Sequence, residues 1–552
     1  MNSHLAQNSL GKHYFKGRVF KLLVPVVSTL IIAVIFLSTI RPSVKLVYMG
    51  TDKIAKNWFL RGEEARIYFK VFNPAIVESD LEIYLKPMDD PSKVIKVSAL
   101  KVKAMENRIN VITLNTNSLE PMLYLLECNF NGRVFNGVSE NPRYNFECYP
   151  WLFAVIEEYN FSKTTYKLGV NIHFIAPREM DLDMMKYAGI NLIRMDFLWS
   201  EVEKEKGVYI FREYRRLVDA LRKRGITALF ILDYGNQYYD DGVAPYSDVG
   251  REAFAKFALE SFKEFKGEDI IWEVWNEPNL SQFWKPKPNP EDYVRLLKAV
   301  YSAAREVGGV RLIAPGVSGF DFNFLEETFK LDMLNCIDAV SIHPYRSTNP
   351  ETVNLDYAKL RELLALYGAP LKPIVSSEWG YCTGGSYGNR VSTATQAEYV
   401  VRMFLINIMN GVNVSVFYDW KDDGSNIHDS EQNFGLIADY EGLKSIYGRP
   451  AYFIKPAYYA IYTLTSQLNG FQFRGRVETG SREDYILVFE NGDGVKKYVC
   501  WTTERAHKVR LSIHAKTLEM VKLFGLKSIH KSESGEYELT LTSAPIFVLP
   551  MP

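Results

Sequence analysis

Two glutamates close apolar runs in this chain: Glu277 ends "IIWEVWNE" and Glu378 ends "PIVSSE". A buried strand of Ile, Val and Trp has no structural need for Glu277. A carboxyl held close to Trp272, Trp275 and Trp284 is partly desolvated and harder to ionise. Such a group is a candidate for an acid kept in its protonated form. A second carboxylate in a different environment complements it. One donates a proton to a leaving oxygen while the other attacks carbon or activates water, which is the chemistry that cleavage of a glycosidic bond needs.

The pair works only if the fold brings it together. From Tyr166 the chain alternates apolar strands ("YKLGVNIHF", "NLIRMDF", "ITALFILDY", "IIWEVWNE", "VRLIAPGVS", "DAVSIHPY", "PIVSSEWGY", "VNVSVFYDW") with amphipathic segments such as "EYRRLVDALRKRG". Strands apolar throughout their middles suit a parallel sheet covered on both faces. Eight such units predict an α/β fold, a (β/α)8 barrel over 166–465, with its active site at the C-terminal strand ends. Those ends carry His173, Arg194, Asp233, Glu277, Ser318, His343 with Tyr345, Glu378 and Trp420. Glu277 closes strand four and Glu378 strand seven, so the two face each other across the mouth. Short strand-like runs on either side predict a β-sandwich of immunoglobulin-like type over 43–160 and a small β-domain over 467–552.

"WNEPN" on strand four and the Glu of "SSEWGY" on strand seven resemble the clan A, or 4/7, superfamily of retaining glycoside hydrolases, and family 39 in particular. The resemblance implies that Glu277 is the acid/base, Glu378 the nucleophile, and Asn276 a ligand for the hydroxyl next to the reacting carbon. It further implies that Arg194 and Tyr345 hydrogen-bond the nucleophile and that His343 shapes the subsite. Trp420 is then the stacking platform beneath the sugar, and His173 a ligand for sugar hydroxyls. A strand-end salt bridge for Arg194 and core positions for the two histidines are the plainer readings. The sequence leaves open whether Trp284 and Trp379 line the cleft or seal the rim. It also leaves open whether Asp233, Asp419 and Asp422 are subsite acids. "CTGGSYGNR" after strand seven and the insert from Lys421 to Gly435 are expected to wall the cleft.

Lys plus Arg equals Asp plus Glu, 65 each, so no basic field points to nucleic acid. Neither the five cysteines nor the eight histidines show metal-ligand spacing, and neither a metal nor an organic cofactor is expected. Cys128 and Cys148 are read as buried thiols, although an oxidising compartment permits them to pair. Residues 22–40 hold no charge and follow a basic segment with Lys12, Lys16, Arg18 and Lys21. This predicts a cytoplasmic tail (1–21), a retained signal anchor (22–40) and an extracytoplasmic barrel in the cell membrane. The expected partner is a carbohydrate. A retaining β-glycosidase is the reading adopted, with a non-catalytic carbohydrate-binding surface protein and a transglycosylase as alternatives.

Overall fold

The computed structural model describes residues 41–138, 149–161, 163–439, 443–444 and 448–551. The predicted anchor at 22–40 and Cys148 lie outside the described residues. Among the described residues no helix is long and apolar enough to cross a membrane.

Eight parallel strands close into a barrel: Lys167–Asn171, Leu192–Leu198, Thr227–Asp233, Ile270–Val274, Arg311–Ser318, Ala339–His343, Ile374–Trp379 and Val414–Phe417. The last pairs with the first, Lys167 opposite Val414 through Val170 opposite Phe417. Helices return the chain between strands, and their ends follow from sequence. Ser247 caps Asp248–Glu264, Asn289 caps Pro290–Val307 with proline in the first turn, and Ser392 caps Thr393–Met409. In each case a side-chain oxygen takes a backbone N–H that the first turn leaves without a partner.

The barrel interior is built in layers. Leu192, Leu229, Ile271, Ile313, Ala339, Val375 and Val416 form one apolar cluster, one residue from each of strands two to eight. Side chains two positions apart share a strand face, so each strand's next inward residue lies one layer nearer the mouth. On strand two that places Arg194 and then Asp196 above Leu192. On strand four it places Glu273 above Ile271. Strand seven breaks the alternation, because its register against strand eight shifts between Ser376 and Trp379. One extra residue there turns Glu378 inward.

Ahead of the barrel stand two packed sheets, formed by strands from Ser43–Gly50 to Leu152–Ile156. One of them is extended by Ala451–Tyr452, a segment that follows the barrel and pairs with Ala55–Lys56. After the barrel, Phe471–Met551 forms a six-stranded sheet and a two-stranded one around a separate small core.

Candidate active site

A cavity of about 770 Å³ opens at the C-terminal ends of the barrel strands, and Glu277 and Glu378 both line it. Arg194 joins them from below. Its guanidinium is buried; Nη1 donates to Glu378 Oε2 at 2.6 Å, Nε to Glu273 Oε2 at 2.8 Å and Nη2 to Asn276 Oδ1 at 2.9 Å. Burial disfavours its charge, but Glu273 and Glu378 more than offset that and raise its pKa. Tyr345 donates its hydroxyl to Glu378 Oε1 at 2.9 Å. Both oxygens of Glu378 are therefore held by donors from elsewhere in the barrel, strand two and the segment after strand six.

Glu277 is set by the turn after strand four, where Trp275 and Glu277 both have positive φ, 69° and 45°. Left-handed backbone at two bulky residues is strained and persists only where surroundings enforce it. Here the Glu277 N–H donates to Gly316 O at 3.0 Å. Gly316 also has positive φ (59°), and a β-carbon there would come within 3.0 Å of Glu273 Oε1. His343 is fully buried, with Nδ1 2.9 Å from Glu277 Oε1 and Nε2 3.2 Å from Arg194 Nη2. A guanidinium only donates, so Nε2 accepts and the proton sits on Nδ1, which donates to Glu277. Burial pushes the Glu277 carboxyl up, but the hydrogen bonds from His343 and Ser318 outweigh it and hold it below the usual carboxylate range. A carboxylate oxygen of Glu277 and one of Glu378 lie within 4.8 Å of each other.

The family model described as cellulase, glycosyl hydrolase family 5, matches residues 159–424. This barrel is similar to those of clan A glycoside hydrolases. A curated β-xylosidase from Geobacillus stearothermophilus is 24% identical over 349 residues, covering 55% of this chain and 67% of that protein. Among solved structures, a family 39 glycoside hydrolase from the gut symbiont Bacteroides cellulosilyticus WH2 superposes with a TM-score of 0.68 at 21% identity. The match covers 92% of this chain and all of that one, so the flanking β-domains share the likeness. A family 39 β-xylosidase from Caulobacter crescentus gives 0.52 at 16% identity, over 71% of this chain and 97% of that one.

In this barrel, Asn276, Arg194, Tyr345 and His173 line the cavity with the two glutamates. Three sequence expectations need correction. Trp420 is no platform: it is buried, and its Nε1 donates to Asp181 Oδ1 at 2.7 Å, behind the cavity wall. Strand eight ends at Phe417, and the ring presented to the cavity is Tyr418, packed edge-on to Phe434. His343 is sealed beneath Glu277 and Arg194 and touches them rather than the cavity. Glu277 is held toward its ionised form by that histidine, where desolvation alone had predicted a protonated acid.

Trp284 and Trp379 are buried and seal the rim. Tyr387 and Asn389 from the loop after strand seven, with Glu431 and Phe434 from the loop after strand eight, wall the cavity. Asp422 pairs with buried Lys455 at 2.9 Å, away from the cavity. His173 Nδ1 lies 3.0 Å from Asp423 Oδ1 and near Asp419. Burial works against its charge, but Asp423 and Asp419 overcome this and push its pKa up to about 9. His173, Asp419 and Asp423 come as close together as metal ligands do. Glu273 was missed, although a lone Glu inside "IIWEVW" signals a buried charge that must have a partner.

Proposed function

We propose that the chain is a retaining β-glycosidase of oligo- or polysaccharides, with Glu378 as nucleophile and Glu277 as acid/base. The reading rests on the approach of the two carboxylates to within 4.8 Å. Retaining pairs stand about 5–5.5 Å apart, whereas inverting pairs leave about 6.5–9.5 Å for a water. Glu378, oriented by Arg194 and Tyr345, attacks the anomeric carbon. The bond to the leaving oxygen breaks as Glu277 delivers its proton there. In the second step Glu277 takes a proton from water, the water oxygen bonds to the anomeric carbon, and the ester to Glu378 breaks. Glu277 must be protonated to start the cycle. A sugar that covers the cavity removes the remaining solvation of its carboxylate and shifts it that way.

The β-xylosidases among the relatives make aryl β-xylosides and β-glucosides the first substrates to try. With Glu378→Ala, turnover falls to background for every leaving group, and azide gives product of inverted configuration. With Glu277→Ala, an activated aryl glycoside still forms the glycosyl-enzyme, and azide speeds its release with retention. Wild-type release of an inverted product, read by NMR, would sink the assignment.

The uncharged run at 22–40 behind its basic segment supports a membrane-anchored enzyme with the barrel outside the cytoplasm. Protease added to cells with an opened envelope should degrade the barrel; protection of the barrel would reverse that topology.

A further inference from the structure

Asp196 lies one layer above Arg194 on the inward face of strand two and lines the cavity. Behind it sits Asp233, the last residue of strand three, fully buried, with no N–H or O–H donor among the described residues reaching either carboxylate oxygen. Its hydrogen-bond partner is the carboxyl of Asp196. Two carboxyls bond only through a proton. Asp233 is the more buried, and burial followed by the charge of Asp196 raises its pKa well above the ordinary value, so Asp233 holds that proton. Asp196 is left as an acceptor facing the cavity; burial raises its pKa above the ordinary value, and Arg194, His173 and the hydrogen bond from Asp233 work against that rise.

The cations around it are already taken. Among the described residues, those lining the cavity are Arg194, His173 and Arg346. Arg194 serves Glu273 and Glu378, and His173 serves Asp423. Arg346 donates to Asp356 and Pro344 O. The free acceptor capacity is anionic, and no uncommitted cation waits for an acidic sugar.

We propose that Asp196 is a specificity-determining residue of the subsite holding the reacting ring, accepting hydrogen bonds from neighbouring hydroxyls of a neutral sugar and excluding a uronic acid. The inference rests on the glycosidase reading. Asp233 acts through Asp196 as its positioning residue, donating the proton that fixes the carboxylate's direction.

The test uses the intact chain with 4-nitrophenyl β-D-xyloside, β-D-glucoside and β-D-glucuronide. Wild type should turn over a neutral glycoside and disfavour the glucuronide by at least about 100-fold. Losing a charged hydrogen bond to substrate lowers kcat/KM by about 10- to 100-fold, so Asp196→Asn should fall in that range, mainly through KM, and narrow the neutral-to-acidic ratio. Asp233→Asn keeps a donor toward Asp196 and should lose no more than about fivefold; Asp233→Leu should follow Asp196→Asn. If folded Asp196→Asn matches wild type, or wild type accepts the glucuronide as readily as the glucoside, the proposal fails while the glycosidase reading stands. Wild type inert on all three glycosides would overturn both.

Discussion

Arg194 decides much at the residue scale, because one guanidinium ties Glu378, Glu273 and Asn276 together. Its place near Glu378 was legible as a polar residue in an apolar strand and from the family resemblance, although it stands within the strand Leu192–Leu198 rather than at its end. The aromatic platform was not, because "FYDW" offers two rings and the strand's end decides between them. The exchange of Trp420 for Tyr418 yields a paired prediction. Tyr418→Ala should leave the fold intact and weaken turnover by about 0.5–1.5 kcal/mol, the scale of an aromatic contact. Trp420→Ala should instead destabilise by about 3–5 kcal/mol, since it empties a packed site and strips Asp181 of its donor. Urea midpoints beside kcat/KM separate the two. His173 gives a second test. With its pKa raised to about 9 from an ordinary 6.5, its ring should stay protonated through neutral pH and titrate near 9 in an NMR series. The stability from its carboxylate pairing is then complete below about 6.5 and lost as pH rises through 9. A titration near 6.5 would mean that Asp423 and Asp419 do not hold it charged.

Strands and turns place these residues. Apolar strands alternating with amphipathic segments foretold the barrel, and the polar residues at the strand ends foretold the rim at which the site forms. The register shift in strand seven was not legible. "PIVSSEW" reads as a regular strand, and only pairing with strand eight shows that an extra residue swings Glu378 inward. The turn at Glu277 was equally silent, since its positive φ depends on Gly316, 39 residues later. Gly316→Ala tests that dependence. A β-carbon at φ 59° would press on Glu273 and approach His343 Nε2, displacing the Gly316 carbonyl that anchors Glu277. The variant should lose about 1–3 kcal/mol of stability and more than tenfold in kcat, with KM less affected. Wild-type kcat in a destabilised variant would show that the turn does not depend on this glycine.

At the scale of the whole molecule, one hydrophobic core runs through all three parts, with polar locks at its edges. Glu351 of the barrel receives Arg402 at 2.7 and 2.6 Å and the Trp501 indole of the C-terminal domain at 2.7 Å. Glu351→Ala leaves a buried guanidinium unpaired and should lower stability by about 3–5 kcal/mol, while Glu351→Gln should lose less. Asp89 of the sandwich accepts the Phe524 and Leu526 N–H groups of the C-terminal domain, and burial pushes its pKa up to about 6. An acid whose folded pKa is raised keeps its proton longer in the native state than in the unfolded one. Stability at this contact therefore falls as pH rises from about 4 to 6 and levels off above. Asp89→Asn, which keeps the acceptor, should flatten that slope in chemical denaturation; an unchanged slope would clear Asp89 of it. The strand Ala451–Tyr452 sets a schedule for synthesis. The sheet it completes leaves the ribosome before the barrel, yet its edge at Ala55–Lys56 waits for a partner about 400 residues further on, a delay of roughly 20–80 s at ordinary elongation rates. Until then the nascent chain carries an open edge that invites foreign strands, so crowding on polysomes and holdase supply should govern its yield more than the stability of the finished enzyme.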